Sequence, residues 1–284
     1  MNRRILILGS GGQIGAYLTD YLNKIGYEVL EFDIVNGLHH DMTEIPNAEL
    51  HRQIMRSHFV FFLAFDVGGS HYLKKYQHTF KFIDNNARMM ANVFGLLEKY
   101  DKPFVFASSQ MSNMSYSPYG VMKRVGELYT KSLGGLIVKF WNVYGIEKDM
   151  EKAHVITDFI SKGFQNGVIE MMTDGKEERQ FLYAEDCCKA LKIIMKKYDQ
   201  FKSDDPLHIT SFKNSSILEV AEVIQDLFLE EGKQVQIIPS NSTDTVQLDK
   251  KNKANTFILG WWQPKTTLRS GIKKIFEEMK NDWV

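Results

Sequence analysis

Cysteine and proline are scarce in this sequence of 284 residues. The two cysteines, Cys187 and Cys188, are neighbours in the chain, and there are six prolines. Two adjacent cysteines cannot staple a secreted fold, so this content excludes a disulfide framework and favours a reducing compartment, which we expect to be the cytoplasm. The sequence also lacks internal repeats, low-complexity tracts and a proline-rich linker, and its composition therefore marks no domain boundary.

Excess charge and long hydrophobic runs are absent as well. The 35 Lys and Arg residues balance 35 Asp and Glu residues, so the chain lacks the basic excess that binding to nucleic-acid phosphates needs. The apolar run that begins at Phe59 ends at Asp66, far short of the roughly 20 residues of a membrane span. The run Ile5–Leu8 stops at Gly9 and is too short for a signal peptide. We therefore expect a soluble protein without a nucleic-acid or membrane partner.

What the sequence does contain is an alternation of short apolar runs with longer amphipathic segments. This alternation is typical of βα units on a parallel sheet, which binds ligands at the carboxyl ends of its strands. After Gly145 helices dominate, which predicts a second, smaller layer over the sheet. The predicted strands are Ile5–Leu8, Glu28–Phe32, Phe59–Leu63, Phe104–Ala107 and Leu136–Phe140, and the predicted helices are Gln13–Lys24, Phe80–Glu98, Tyr119–Leu133, His154–Phe164, Glu185–Tyr198, Ser216–Glu230 and Leu268–Lys280.

A glycine-rich turn follows the first predicted strand. Gly9, Gly12 and Gly15 are spaced as G-x-x-G-x-x-G and lead into a helix. Glycines at these places permit a tight turn, let the backbone approach a pyrophosphate and let helix and strand pack closely, while the helix N-terminus favours the phosphate charge. Asp33 ends the second strand about 20 residues later, where a carboxylate accepts the ribose hydroxyls of NAD and repels the 2′-phosphate of NADP. Asp41 either reaches the adenine or caps a helix.

A second set of residues lies around Tyr119. Tyr119 and Lys123 are four residues apart, and therefore share one face of a helix that starts near Pro118. The ammonium group and the positive nicotinamide are expected to lower the pKa of Tyr119 toward neutrality, which makes it a general acid and base. The same spacing occurs elsewhere, but here a buried strand ending in Ser108-Ser109 lies just upstream. A serine hydroxyl at that strand end can bind the same substrate oxygen.

These motifs, in this order, resemble those of the extended short-chain dehydrogenase/reductase family, in particular the NAD-dependent epimerase/dehydratase group acting on nucleotide sugars. The resemblance covers nearly the whole chain. It rests on the glycine turn, Asp33, Leu63-Ala64, Asn86, Ser108-Ser109, Tyr119 with Lys123, Asn142-Val143-Tyr144-Gly145, the stretch from Arg179 to Asp186, and Leu259-Gly260-Trp261 with Pro264-Lys265.

The resemblance implies a role for each matching residue. Tyr119 is the acid and base, Lys123 binds the ribose and tunes Tyr119, and Ser109 binds the substrate oxygen, with Ser108 as the alternative register. Arg179 contacts the nucleotide diphosphate, against the simpler interpretation of a surface arginine in a charged run. The remaining substrate-binding residues that the resemblance implies are Asn142 and His154. The cofactor-binding residues are Gly9, Gly12, Gln13, Ile14, Gly15, Asp33, Asp41, Leu63, Ala64, Asn86, Tyr119 and Lys123.

The sequence departs from the family pattern in the loop before Tyr119. The family has a longer loop there, whereas Gln110 to Pro118 alone separate Ser109 from Tyr119. Dehydratases of the family carry Asp-Glu after the serine position, and the 3,5-epimerase branches carry a cysteine two places after it. Gln110 and Met111 occupy these places, which argues against dehydration and against the usual 3,5-epimerisation. Two further departures, Lys139 for an arginine and Gln180 for an aspartate, have no mechanistic interpretation from the sequence.

The stretch from Glu151 to Ile156 favours a different branch. It resembles segments that supply a second acid or base in the GDP-fucose synthase and GDP-mannose 3,5-epimerase branches. His154 or Lys152 would take that role here; the alternative is a histidine that simply starts a helix.

The sequence thus predicts an α/β protein, a Rossmann-type doubly wound parallel sheet with a smaller mixed α/β C-terminal substrate-binding region. We predict that residues 1–145 bind NAD, that the helix near residues 185–198 returns to them, and that residues 146–284 mostly bind the nucleotide sugar. The expected function is an NAD-dependent nucleotide-sugar epimerase without a metal site. The alternatives are a nucleotide-(keto)sugar reductase or dehydrogenase that consumes NAD(P)(H), and an NAD-binding protein without catalysis. The resemblance further implies a homodimer packed through helices Phe80–Glu98 and Tyr119–Leu133.

Overall fold

The computed structural model describes residues 3–202, 205–247 and 252–281. The strands are β1 Arg4–Leu8, β2 Glu28–Phe32, β3 Phe59–Phe62, β4 Phe104–Ser109, β5 Leu136–Phe140, β6 Asn142–Tyr144, β7 Val168–Glu170, β8 Glu178–Tyr183, β9 Leu207–Ile209, β10 Asn214–Ser216 and β11 Gln236–Ile238. The helices are α1 Gln13–Lys24, α2 Ala48–Arg56, α3 Ser70–Tyr76, α4 Phe80–Lys99, α5 Pro118–Ser132, α6 Val155–Asn166, α7 Ala184–Lys196, α8 Ile217–Glu230 and α9 Leu268–Asn281.

Six parallel strands form the central sheet, in the order β2-β1-β3-β4-β5-β9. The chain starts in the interior of this sheet and builds toward both edges, so the strand order reverses between β1 and β3. At such a reversal the connecting loops diverge and leave a crevice at the carboxyl ends of the strands. The α/β, Rossmann-type fold class predicted from the sequence is therefore confirmed.

Apolar side chains cover both faces of the sheet, which explains why its strands are continuous apolar runs. Ile5 and Ile7 of β1 face a core that they share with Leu18 of α1 and Leu191 of α7. Leu6 and Leu8 point to the opposite face, into a core shared with residues of α2 and α4 that include Ile54, Val93 and Phe94. The alternation of side chains along a strand thus places one helical layer on each face of the sheet.

Part of the C-terminal half of the chain packs with the central sheet, and the rest forms a separate core. Strand β9 pairs with β5 at the edge of the central sheet, and α7 packs on the same core as α1. Helices α6, α8 and α9 enclose a separate core with Phe159, Ile224 and Phe276. Two small sheets, β10-β8-β6 and β11-β7, border that core. They provide a second layer beside the carboxyl ends of the central strands.

The predicted elements occur within two residues of their expected bounds. For example, the helix predicted as Tyr119–Leu133 is found at Pro118–Ser132, and Ser117 caps it by accepting from the Gly120 backbone N–H. Helices α2 and α3 were not predicted; they span only nine and seven residues, which is shorter than the window of about 11–18 residues over which helical periodicity is judged. Within the described ranges, no helix is long and apolar enough to cross a membrane.

Candidate active site

The glycine turn after β1 is tightly constrained. Gly9 has a φ of +91°, and a Cβ there would lie 2.6 Å from the Ala64 backbone nitrogen. A Cβ on Gly15 would lie 1.9 Å from the Gly9 carbonyl oxygen, so α1 can approach the turn only because this residue has no side chain. At Gly12 the nearest atom, the Gly9 carbonyl oxygen, is 3.4 Å away. The turn is therefore closed toward the protein and accessible at Gly12, as a pyrophosphate cradle requires.

Asp33 at the end of β2 is held against this turn. Its carboxylate accepts a hydrogen bond of 2.9 Å from the Gly11 backbone N–H and one of 3.2 Å from that of Val35. A Cβ on Gly11 would lie 2.4 Å from the Val35 side chain and 3.1 Å from the Asp33 carboxyl carbon, so a side chain here would crowd the contact between the two loops. The sequence analysis missed Gly11, although its position inside the glycine turn was a signal.

Other residues predicted to bind the cofactor surround the crevice. The Gln13 side-chain amide donates to the Val143 carbonyl and accepts from the Gly145 N–H, at 3.1 Å each. Ile14, in the first turn of α1, packs against the core on that face of the sheet. Asp41 accepts from the backbone N–H and the hydroxyl of Thr43 at 2.8 Å each, so it forms a local turn. The cap of α2 is Asn47 and not Asp41, which excludes the capping alternative for that helix.

The loop after β3 forms the other wall of the crevice. The backbone N–H groups of Leu63 and Ala64 both donate to the Leu8 carbonyl, at 2.9 and 2.8 Å. Asn86 is fully buried in α4, and its side chain accepts from the Asp66 N–H and donates to the Asp66 carbonyl. Asn86 therefore fixes the course of this loop from behind.

Tyr119, Lys123 and Ser109 meet at the carboxyl end of the sheet, as predicted. All three are buried, and the Ser109 side chain lies near enough to the Tyr119 phenol to lower its pKa. The ammonium of Lys123 donates to the Ala107 carbonyl at 2.6 Å and lies 3.7 Å from the centre of the Phe65 ring. Lys123 is 5.9 Å from the centre of the Tyr119 ring.

Burial is the largest influence on the pKa values of both Tyr119 and Lys123. Burial raises the pKa of Tyr119 to about 12, and the nearby Ser109 side chain offsets this only in part. Burial also lowers the pKa of Lys123 to about 7, although the nearby charge of Glu127 raises it. The predicted fall of the Tyr119 pKa toward neutrality includes the effect of the positive nicotinamide and stays a prediction; among the protein's own groups, desolvation disfavours the charged forms of both Tyr119 and Lys123.

Ser108 faces the opposite side of the strand from Ser109. Its hydroxyl donates to the Glu127 carboxylate at 2.5 Å, within a buried environment. Neighbouring residues of a strand point to opposite faces, and the structure brings Ser109, rather than Ser108, to Tyr119.

The short loop before Tyr119 is covered by a segment that is distant in sequence. Met111 and Met114 pack with Tyr119 and Val246 in one buried cluster. The Gln110 amide donates to the Gln247 side chain at 2.9 Å, and the Tyr116 hydroxyl donates to the Gln247 carbonyl at 2.7 Å. The segment of residues 244–247 therefore forms a wall over the loop.

His154 and Lys152 both approach the loop after β3. The Nδ1 atom of His154 lies 2.6 Å from the Glu147 carboxylate, which also accepts from the His154 backbone N–H at 2.7 Å. Burial is the largest single influence on the pKa of His154 and lowers it, but the charge of Glu147 and its hydrogen bond together outweigh burial, so the pKa is raised. Lys152 lies 3.7 Å from the Asp66 carboxylate. A Cβ on Gly69 would lie 2.3 Å from the Ala153 carbonyl, so the two segments are in direct contact.

Arg179 is not the exposed member of a charged run. It is largely buried on β8 and forms an ion pair with Asp244, and it donates to the Glu178 carbonyl at 2.7 Å. Asn142 starts β6 next to β8, where its register partner is Phe181, two residues beyond Arg179. Arg179 and Asn142 thus lie on adjacent strands of the second layer, and Asp244 belongs to the wall over the short loop.

Three charged residues of this region escaped the sequence analysis: Glu127, Glu147 and Asp244. Glu127 carried a signal, because it lies four residues after Lys123 on the same helix face. Glu147 and Asp244 carried none, because their partners are set by the tertiary fold. Among the described residues, no group of three or more His, Cys, Asp or Glu side chains could hold a metal ion.

Comparisons with known proteins show similarity to one enzyme family over most of the chain. The model of the NAD dependent epimerase/dehydratase family matches residues 5–209. A Methanocaldococcus jannaschii protein, named provisionally as a UDP-glucose 4-epimerase, is 27% identical over 98% of this chain and 99% of its own length. UDP-glucuronic acid decarboxylase 1 of Danio rerio is 23% identical over 97% of this chain and 72% of its own length.

Solved structures with the same fold include MoeE5 in complex with UDP-glucose and NAD. It superimposes with a TM-score of 0.81 at 18% identity and covers both chains completely. The family match spans the glycine turn, Asp33 and the Ser109, Tyr119 and Lys123 set, which are the features expected for a nicotinamide cofactor beside an acid and base. The chain therefore belongs to the NAD dependent epimerase/dehydratase family of enzymes, and its cofactor is NAD.

Proposed function

We propose that the protein is an NAD-dependent epimerase of nucleotide sugars. The observation that carries this proposal is the buried set of Ser109, Tyr119 and Lys123 at the carboxyl end of the sheet, with Lys123 5.9 Å from the centre of the Tyr119 ring. The loop after β3 links this set to the glycine turn, because Ala64 packs against Gly9 while the Phe65 ring contacts Tyr119 at 5.7 Å between ring centres. Acid, base and cofactor cradle thus share one crevice.

The residues around the glycine turn fit NAD. Gly12 leaves its backbone open at the N-terminus of α1, and the absence of a side chain at Gly15 lets the helix approach Gly9 closely. The Asp33 carboxylate is placed beside the turn by Gly11 and is suited to ribose hydroxyls. When bound, NAD accepts a hydride from the sugar carbon and returns it.

The proton of the reacting hydroxyl is handled by Tyr119. With a pKa of about 12 the phenol is protonated at neutral pH, so it needs positive charge nearby to act as a base. Lys123 supplies this charge when protonated and also binds the ribose. The Ser109 hydroxyl binds the same sugar oxygen and orients it toward Tyr119. In the reverse step, Tyr119 returns the proton to the oxygen.

Epimerisation by this route requires a single acid and base. The side chains after Ser109 supply no second one, because Met111 is buried among apolar groups and the Gln110 amide is engaged by Gln247. This arrangement argues against dehydration, in which a separate acid and base remove water from the sugar.

A reductase of nucleotide keto-sugars is the second candidate. The Glu147 and His154 pair supports it, because the carboxylate fixes the imidazole through Nδ1 and leaves Nε2 free to donate a proton. The side chain of His154 is 39% exposed, so a substrate can reach it. Lys152 lies beside it but is attracted to Asp66.

We assign the nucleotide sugar to the space between the sheet and the second layer. Arg179 and Asn142 lie on the adjacent strands β8 and β6, and a planar guanidinium suits a diphosphate. Four exposed apolar side chains on α4 and α5 support a homodimer through these helices: Phe80, Ile83, Val121 and Leu128. The free, buried Cys187 and Cys188 are consistent with a cytoplasmic enzyme.

Incubation with a panel of UDP-, GDP-, dTDP- and CDP-sugars and a catalytic amount of NAD tests the proposal. A product of unchanged mass without net NADH, detected by chromatography, supports epimerisation. Release of CO₂ from UDP-glucuronic acid would instead identify a decarboxylase, and consumption of stoichiometric NAD(P)H with 4-keto sugars would identify the reductase.

Replacement of the base gives a sharper test. Tyr119→Phe removes the hydroxyl that carries the proton, so kcat is expected to fall about 10²- to 10⁴-fold while the Kd for NAD stays near that of the wild type. Tyr129→Phe is the matched control, because Tyr129 lies on the same helix and its ring stacks on Phe94 outside the crevice. Unchanged turnover in Tyr119→Phe would remove Tyr119 from the mechanism.

A further inference from the structure

A buried ionic cluster lies behind the Ser109, Tyr119 and Lys123 set. We define the Glu127 cluster as Ser108, Asn113, Glu127 and Lys139. The side chains of Glu127 and Lys139 are 1% and 4% exposed, and their charged atoms are 3.2 Å apart. Ser108 donates to Glu127 at 2.5 Å, and Lys139 donates to the Asn113 side chain at 3.2 Å. The cluster therefore joins α5 to β4, to β5 and to the short loop.

Two members of the Glu127 cluster lie on the same elements as residues of the candidate site, and a third lies in the turn that Ser109 caps. Glu127 follows Tyr119 and Lys123 on one face of α5 at intervals of four residues. Ser108 immediately precedes Ser109 on β4. Asn113 ends the 3-10 turn of residues 110–113, whose first N–H groups are capped by Ser109. Glu127 and Ser108 therefore share α5 and β4 with the three residues of the candidate site.

Stability alone does not explain a buried ion pair at this place. Removing two charges from water costs several kcal/mol for each ion, and apolar side chains of similar volume often stabilise a fold as well or better. Buried pairs are retained in some proteins because they specify one arrangement of the elements that they join.

We propose that Glu127 is the positioning residue of the candidate active site, where it fixes β4 against α5 through Ser108 and Lys139 and places a carboxylate one helical turn from Lys123. This inference rests on the proposed function. Its effect on catalysis is indirect, because Glu127 contacts Ser108, Lys139 and Arg124 and touches neither Tyr119 nor Ser109.

The surroundings of Lys123 explain why its charge depends on Glu127. From β4 the Ala107 carbonyl and the Phe106 ring face the ammonium, and from the loop after β3 the Phe65 ring faces it. On α5 itself the neighbours are Tyr119 and Glu127. Among these described groups, Glu127 supplies the negative charge, since the Tyr119 phenol is protonated at neutral pH.

The direction of the effect follows from this arrangement. Burial lowers the pKa of Lys123 to about 7, and the Glu127 charge raises it. Without that charge, the pKa of Lys123 falls further and the lysine is mostly neutral at pH 7. Activity that requires the ammonium is then lost at a lower pH than in the wild type.

The first experiment compares kinetics of the full-length wild type, Glu127→Gln and the double variant Glu127→Gln/Lys139→Met. In Glu127→Gln we expect kcat to fall about 10- to 100-fold with KM nearly unchanged, and the alkaline limb of the kcat profile to move down by about one pH unit. Glu127→Gln leaves the Lys139 charge buried without its partner and is expected to lower Tm, whereas the double variant removes both buried charges and is expected to restore Tm to that of the wild type. A kcat that stays low in the double variant supports the proposal, and recovery of both Tm and kcat would show a purely structural role and overturn it.

The second experiment needs no substrate. Protein labelled with ¹³C-lysine is titrated by NMR, and the Lys123 signal is assigned from Lys123→Arg. A lower Lys123 pKa in Glu127→Gln supports the proposal, and an unchanged one overturns it. Asp158→Asn is the control, because it breaks a Lys162 ion pair on α6 and should leave Lys123 unaffected. If no nucleotide sugar is turned over by the wild type, the proposed function fails while this titration still decides the role of Glu127.

Discussion

Replacing Gly15 with alanine tests whether the glycine turn is the cofactor site. A Cβ at this position would lie 1.9 Å from the Gly9 carbonyl oxygen and 2.9 Å from the Ser10 Cα atom, where ordinary contact begins at 3.4 Å. Helix α1 must therefore move away from the turn by about 1.5 Å, since the obstructing atoms belong to the backbone. That shift displaces the N–H groups at the helix N-terminus, which we assign to the pyrophosphate.

Two effects of Gly15→Ala can be measured separately. Overpacking costs about 1–3 kcal/mol, which lowers Tm by several degrees in a chain of this size. Loss of one hydrogen bond to a charged phosphate costs about 1.5–3 kcal/mol and raises the Kd for NAD about 10- to 150-fold. We would measure Tm by scanning fluorimetry and Kd by calorimetric titration with NAD.

Gly95→Ala is the matched control for this change. Gly95 also lies in a helix, α4, and a Cβ there meets no atom within 4 Å. Alanine stabilises a helix interior by up to about 1 kcal/mol relative to glycine, so Tm should rise slightly and the Kd for NAD should not change. If Gly15→Ala bound NAD with the affinity of the wild type, the assignment of the pyrophosphate to this turn would be refuted.

Three further predictions concern charged residues. Asp33→Asn should weaken NAD binding and allow NADP to bind, because the 2′-phosphate is no longer repelled; titration with both cofactors checks this. The raised pKa of His154 means that its pairing with Glu147 stabilises the fold most below about pH 6.5 and less as pH rises through the folded-state pKa. The loss of urea resistance in His154→Asn should therefore be larger at pH 6 than at pH 8, and equal losses would contradict it. Arg179→Gln should raise the KM for the nucleotide sugar about tenfold with little change in kcat. An unchanged KM would show that Arg179 pairs with Asp244 and does not bind the nucleotide sugar.

The central sheet could be predicted because its signals are local. Buried parallel strands are continuous apolar runs, and the helices between them show the periodicity of one apolar face. Gly9 and Gly15 were identifiable by their spacing. At both positions another backbone segment comes so close that only a residue without a side chain fits. Tyr119 and Lys123 were identifiable because a helix places residues four apart on one face.

Properties that depend on burial and distant partners were not predictable. Among the protein's own groups desolvation raises the Tyr119 pKa, and the sequence does not report how deeply the phenol is buried. Arg179 was interpreted either as a diphosphate ligand or as a surface residue, and its partner Asp244 lies 65 positions away in the chain. No local pattern joins two such residues.

The short loop before Tyr119 and the segment of residues 244–247 form one structural unit. Val246 packs with Met111, Met114 and Tyr119, and Gln247 hydrogen-bonds with the loop. A longer loop would occupy the space that this segment fills, because a close-packed interior leaves no room for both. Asp244, the partner of Arg179, starts the same segment. A change in loop length must therefore be accompanied by a change in residues 244–247, and the two together determine the wall against which the substrate would bind.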